Sequence, residues 1–322
     1  MSDHSYRPSG PSQEAWRGWV WQVLAGLAAL GLPLIFVLAG IAAETLSLAA
    51  QIPVAVLLTV AAGSVILLVR ALWRQGARHR APSGADAVQS DERAPVLYLR
   101  SFGEETSVFA EEEALARIMI EIGPFVAIGR PGDALPPLGA SRFYGRHFER
   151  GGRGWQEFIH ELVSRATLVF LMPGPTVGLA WEVMQCRKLL HPHSLMLLVQ
   201  GRRDTYDTFR RETAADVGMS IPEFPAEHSK GRGDDEFIGI VRFRPDWTAY
   251  FWPFPERPGR IAHVDHVDIR EDRLRAGLLP ALAEQGLVLK SRGRQTRTAI
   301  WSMWAVYLVV AIGLVVTWLW FR

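Results

Sequence analysis

The 322-residue sequence has one cysteine, Cys186, and only three lysines against 32 arginines. A single thiol excludes an internal disulfide framework and a four-cysteine zinc site, and it fits a reducing compartment. With 35 basic and 33 acidic side chains the formal net charge is only +2. Nucleic-acid binders concentrate basic charge on one surface, so no nucleic acid is expected as a partner. Neither a Walker-type phosphate loop nor a Gly-x-Gly-x-x-Gly fingerprint occurs, which disfavours nucleoside-triphosphate hydrolysis and hydride transfer. His191 and His193 flank Pro192, and His263 and His266 stand among Asp265 and Asp268. These sets lack a helical frame and further cysteines, so no metal site is expected.

What the sequence has in excess is apolar length. Its mean hydropathy of +0.09 is high for a soluble domain, yet the 21% of charged residues is ordinary, so the excess must sit in a few segments. Residues 20–43 contain one polar side chain, Gln22, and at about 1.5 Å per residue they are long enough for a ~30 Å hydrocarbon core. Residues 52–69 and 300–321 read as a second and a third span. Trp16, Trp19, Trp21, Trp73, Trp301, Trp304, Trp318 and Trp320 fall at or near the span ends, where amphipathic rings sit at headgroup level. No Asp, Glu, Lys, Arg or His lies within the spans, which argues against a transport path.

Arg7 and Arg17 precede the first span, and Arg70, Arg74, Arg78 and Arg80 follow the second. Lys290, Arg292, Arg294 and Arg297 precede the third, while the 44–51 loop has no basic residue. This asymmetry predicts that the N-terminus and residues 75–297 are cytoplasmic. The arginine bias, with abundant alanine and glycine, suggests a GC-rich bacterial genome and hence an inner membrane. The expected division is an N-terminal tail 1–17, a transmembrane hairpin 18–72, a flexible polar linker 73–94, an α/β domain 95–290 and a third transmembrane helix 298–321.

Within residues 75–297 the basic and acidic side chains balance at 30 each, which suits a small-molecule site or a protein partner. Short apolar runs at 96–99, 125–128, 168–172 and 195–199 alternate with helical periodicity at 110–122, 155–166, 177–190 and 205–217. A glycine- and proline-rich loop fills 129–154. Beyond residue 220 the runs 237–241 and 247–252 suit further strands, 259–269 a loop and 274–283 a terminal helix. Alternation of this kind predicts an α/β fold, a parallel sheet with helices on both faces. Such sheets bind ligands beyond the carboxyl ends of their strands, here after Leu99, Ile128 and Met172.

The residues at those ends are Arg100-Ser101-Phe102, Gly129-Arg130-Pro131-Gly132 with Gly139-Ala140-Ser141-Arg142, and Pro173-Gly174-Pro175-Thr176 leading into Gly178-Leu179-Ala180-Trp181-Glu182. A strand ending Arg-Ser-Phe, a long loop, a Trp-led amphipathic helix, an apolar strand and a helix opening Gly-Leu-x-Trp-Glu resemble, over about residues 95–200, the TIR (Toll/interleukin-1 receptor) domain superfamily. The resemblance implies a TIR/flavodoxin-like sheet, nucleotide binding and self-association through the 129–154 loop. In NAD-cleaving members the glutamate of the helix after the third strand is the catalytic residue, and Glu182 matches that position.

Elementary chemistry suits the same residues. Nicotinamide leaves NAD as a neutral molecule through an oxocarbenium-like transition state, so one carboxylate can stabilise the developing charge. Glu182 would serve as that carboxylate, with Gly178 leaving room for a ribose. Arg100, Arg130 and Arg142 suit a pyrophosphate, and Phe102, Trp181 or Tyr144 suit stacking on a base. No cofactor is required, and NAD is the expected substrate. Plainer roles stand beside these. Glu182 would be a first-turn glutamate favoured by the helix dipole or paired with Arg187, and Arg100 would pair with Glu104 or Glu105. Glu111 to Glu113 would be a first helical turn, and Trp181 and Cys186 would be packing residues. Two functions follow: a membrane-anchored effector that hydrolyses NAD, or a non-catalytic nucleotide-sensing or protein-interaction module held at the bilayer. Homo-oligomers are expected for either.

Overall fold

The computed structural model of the chain describes residues 15–100, 109–129, 135–143, 154–174, 177–230, 233–256 and 266–289. The chain divides between Arg80 and Ala81 into two compact units.

The first unit is a helical hairpin of α1 (Ala15–Ala29), α2 (Gly31–Thr45) and α3 (Leu48–His79). Ala15–Thr45 and Ala49–His79 are each 31 residues long and apolar enough to cross a membrane. Almost nothing in them is buried; Leu57 and Leu67 are 67% and 69% exposed. The few hydroxyls turn back onto the helix, Thr59 Oγ1 donating to the Ala55 carbonyl at 2.8 Å and Ser64 Oγ to that of Val60 at 2.9 Å. Gln51 Nε2 closes the connection by donating to the carbonyls of Ala43 at 2.9 Å and Leu46 at 3.0 Å. At the other end α1 and α3 touch backbone to backbone: a Cβ on Gly18 or on Gly76 would lie 2.8 Å from the other's carbonyl oxygen, so only glycine fits. The third expected span, 300–321, lies outside the described residues.

The second unit opens with a short helix, α4 (Gly84–Ser90), where a flexible linker is expected from the sequence. Ser83 Oγ caps it by accepting from the Asp86 amide at 3.2 Å. The following elements are β1 (Val96–Arg100), α5 (Phe109–Met119), β2 (Phe125–Ile128), β3 (Ala140–Phe143), α6 (Trp155–Arg165), β4 (Leu168–Met172), α7 (Val177–Leu189), β5 (Leu195–Gln200), α8 (Arg203–Val217), α9 (Ala226–Ser229), β6 (Phe237–Phe243), β7 (Ala249–Pro253) and α10 (His266–Ala283). Seven strands form one sheet in the order β3-β2-β1-β4-β5-β6-β7.

The α/β class holds, but the sheet is mixed and not wholly parallel. β1 to β5 run parallel, while β6 and β7 add an antiparallel hairpin at one edge. The turn of that hairpin is compatible with antiparallel pairing because Trp247 takes the left-handed conformation, φ 64°, with its ring 5.4 Å from that of Phe243. A further departure is β3, which occupies part of the expected 129–154 loop and pairs with β2 as the other edge.

Two apolar layers cover the sheet. Val96 and Tyr98 of β1 face α5 and α10, packing with Leu115, Ile118, Leu274 and Leu278. Leu97 and Leu99 face the opposite way, toward α4, α6, α7 and α8. Ile159, Leu162 and Val163, at 3.6-residue spacing on α6, are buried on that second face and contribute about 1.5–3 kcal/mol each.

Candidate active site

Residue 177, the start of α7, follows closely on the carboxyl end of β4, so the first turns of α7 stand at the sheet edge where α/β folds bind ligands. Apolar spacing fixes which way the helix faces: Leu179, Val183 and Cys186 are buried against the sheet. Glu182 lies between them on this buried side and is only 8% exposed. Its Oε2 has no hydrogen-bond partner, and no arginine, lysine or histidine pairs with it among the described residues. Burial pushes its carboxyl up to about 8. The helix dipole acts in the other direction, but it fades beyond the first turn, and Glu182 is the sixth residue of α7. Desolvation therefore wins.

The surroundings are aromatic and weakly polar. The rings of Trp155 and Trp181 meet edge to face at 5.1 Å. Trp155, the first residue of α6, is 43% exposed, and a Cβ added to Gly178 would lie 3.7 Å from its Cη2. Gly178 thus leaves a shallow space beneath an exposed indole. One turn along α7, Gln185 Oε1 lies 3.1 Å from His160 Nδ1. Cys186 is buried, and burial, then the Glu182 charge, pushes its thiol up. It is a packing residue and not a reactive one. Arg187 donates to the Val217 carbonyl at 2.6 Å, away from Glu182.

The arginines expected at a pyrophosphate behave differently. Arg142 is on β3 and its Nη2 lies 3.1 Å from Glu112 Oε1 and 3.2 Å from Oε2. Arg100 Nη1 lies 3.7 Å from the same carboxylate. Both point to the α5 face, whereas Glu182 belongs to the α7 face. The structure therefore brings Glu182, Gly178 and Trp181 together and gathers Arg100 and Arg142 around Glu112 on the other side of the sheet. Ser101, Phe102, Arg130 and Tyr144 lie outside the described residues.

Two members of this edge escape a reading of sequence alone. Trp155 heads a periodic apolar stripe and so reads as core, although a bulky ring on the first residue of a helix has no preceding turn to cover it. Glu112 reads as a first-turn acid. Its role shows only when two strand-end arginines are brought to it.

Among the described residues no three His, Cys, Asp or Glu side chains converge to hold a metal ion. The rings of His191 and His193 are 5.1 Å apart without a third ligand. No known family, no curated protein and no solved structure matches the chain.

Proposed function

We propose that this chain is a membrane-anchored TIR-like effector whose α/β unit hydrolyses NAD at the nicotinamide–ribose bond, with Glu182 as the catalytic carboxylate. The observation that carries the proposal is the Glu182 carboxyl itself, buried and, among the described residues, without a basic partner, beside the carboxyl end of a parallel strand. A carboxyl raised by desolvation without a compensating charge costs the fold stability above its ordinary pKa, and such groups cluster at functional sites. A cationic pyridinium seated against it would favour the ionised form. The carboxylate would then stabilise the oxocarbenium ion as the C1′–N bond breaks, its electron pair leaving with neutral nicotinamide. Water adds to C1′, and its proton is released to give ADP-ribose. Trp155 and Trp181 would wall the base, and Gly178 would admit the ribose.

Anchoring is supported by the exposed apolar surface of α1 to α3, far larger than a soluble monomer leaves uncovered. The arginine asymmetry supports a cytoplasmic α/β unit in a bacterial inner membrane, and clustering of copies in that plane would be the activating event.

One observation favours a second reading. At neutral pH a carboxyl raised to about 8 is mostly protonated, and in that form it donates a hydrogen bond, which suits nucleotide sensing without turnover. One assay separates the two. The full chain in lipid nanodiscs, dilute and crowded, is incubated with NAD and nicotinamide is measured. Release by wild type and a loss of about 10²–10³-fold in Glu182→Gln are expected. No release at any density, or equal release by both, refutes catalysis; saturable NAD binding without release supports the sensing module.

A further inference from the structure

α6 leads into β4 and α7 into β5, and those two strands are parallel, so the helices run side by side in the same direction. Two contacts define the flank that α7 turns toward α6. Near its start Gly178 adjoins Trp155, whose Cη2 would lie 3.7 Å from an added Cβ. Further along, Gln185 Oε1 lies 3.1 Å from His160 Nδ1. Glu182 stands between them. At about 100° per residue, Gly178, Glu182 and Gln185 fall within a sector of about 60°, spread over about 10 Å of helix axis. The groove between α6 and α7 therefore has three levels. Glycine beside an indole forms the mouth at the strand ends, the buried carboxyl lies in the middle, and the glutamine–histidine pair closes the far end.

The chemistry of that pair is one-sided. A glutamine Oε1 only accepts, so His160 Nδ1 must carry the proton and donate it. The bond fixes which way round the amide sits. Gln185, only 8% exposed, then presents its N–H donors on the side away from the His160 contact, while His160 itself is exposed.

We propose that Gln185 donates a hydrogen bond to the carboxamide oxygen of the nicotinamide ring, and that His160 is the positioning residue that holds the Gln185 amide for it. The contact rests on the reading of Glu182 as the carboxylate facing the C1′–N bond of NAD. With the ribose at Gly178 and that bond at Glu182, the pyridinium ring continues along the groove toward Gln185, about 4.5 Å further along the axis. The carboxamide is the ring's only hydrogen-bonding substituent, and its oxygen calls for an N–H donor. A bond to a group that stays in place while C1′–N breaks holds ground state and transition state alike, so its loss falls on KM. The loss of Glu182 falls on kcat.

The test uses the full chain in crowded lipid nanodiscs, with NAD and its thionicotinamide analogue, whose sulfur accepts hydrogen bonds more weakly than oxygen, as substrates. For NAD, Gln185→Met is expected to raise KM about 2–10-fold, the range of one hydrogen bond, with kcat within about twofold of wild type. His160→Leu should raise KM equally. His160→Asn, whose amide nitrogen stands where Nδ1 does, should return it to within about twofold of wild type. Wild type should show a KM about 2–10-fold higher for the analogue, and Gln185→Met the same KM for both substrates. An unchanged KM in Gln185→Met or His160→Leu, or a rise in His160→Asn as large as in His160→Leu, overturns the contact while Glu182-dependent release stands. Equal KM values for the two substrates in wild type do the same, and this comparison decides even where a variant fails to fold. If NAD binds without release, turnover alone is refuted and the same comparisons decide the contact as Kd values from equilibrium dialysis. A wild type that neither binds nor cleaves NAD overturns the reading of Glu182 and the contact with it.

Discussion

Glu111, Glu112 and Glu113 on α5 are each no more than 2% exposed, as deep as Glu182 on α7, yet each of the three meets an arginine and Glu182 meets none among the described residues. Glu111 accepts from Arg270 Nε at 3.0 Å and from Arg273 Nη2 at 3.2 Å, and Arg273 also pairs with Glu236. Glu112 is shared by Arg142 and Arg100, and Glu113 pairs with Arg117 at 2.7 Å. Burial alone therefore does not mark a functional carboxylate. On the α5 face desolvation is offset by guanidinia, those of Glu111 and Glu112 brought from other elements and that of Glu113 from the next turn; on the α7 face no described residue compensates it, and the carboxyl responds by holding its proton.

The most severe way to break this contrast is Glu112→Gln. It removes the carboxylate around which two buried guanidinia are arranged and should cost about 3–5 kcal/mol. The measurement is the urea midpoint of the full chain in detergent, read by pulse labelling of the Cys186 thiol. That thiol is buried in the folded α/β unit and, as the only cysteine, reports this unit and not the hairpin.

Glu182→Gln should do the opposite. The folded carboxyl sits at about 8 against an ordinary 4.5, so between those pH values the folded chain holds a proton that the unfolded chain has released. The stability associated with that proton is complete below about 4.5 and is lost as pH rises through 8. Glutamine carries no such dependence. The variant should match wild type near pH 4.5 and exceed it by roughly 2–4 kcal/mol near pH 8, at about 1.4 kcal/mol per pH unit over the window. The same midpoint measured across pH checks this, and a constant gap would show that Glu182 is compensated after all.

If Glu182 works as a carboxylate, its protonation also governs turnover. In the free protein kcat/KM for NAD should rise about tenfold per pH unit up to about 8 and then level. A profile already flat from pH 6 upward would show that the ionised form is not limiting.

How much of this contrast could be read from sequence depends on how local its cause is. β1, β2, β4 and β5 are short apolar runs, and α6 has an unbroken stripe, so each declares itself within a dozen residues. Glu182 is legible as a position, the acid in the early turns of the helix after an apolar strand. Its burial is not, because that depends on Leu179, Val183 and Cys186 finding the sheet. β3 is hidden in the sequence because Ser141 and Arg142 interrupt it; a charge in a four-residue strand reads as loop until Glu112, thirty residues earlier, is known to receive it. The burial of Glu111 is hidden for the same reason, since its partners Arg270 and Arg273 come from the far end of the domain. Trp247 reads as part of a strand although it makes the turn, its left-handed backbone packed on Phe243 where the turn by itself favours glycine or asparagine.

The smallest effect isolates solvent as the deciding variable. Glu161 and Arg165 on α6 are spaced i, i+4 like Glu113 and Arg117 on α5, so helix geometry offers both pairs the same opportunity. The α6 pair stands 3.9 Å apart with side chains 46% and 59% exposed, whereas Glu113 is buried. In water each exposed partner is well solvated alone, so Arg165→Ala should cost no more than about 0.5 kcal/mol and less in high salt. Arg117→Ala leaves a desolvated carboxylate behind and should cost more. Should the two substitutions cost the same by the Cys186-labelled midpoint, spacing and not burial would set the value of a pair. The orphaned state of Glu182 would then say nothing about function.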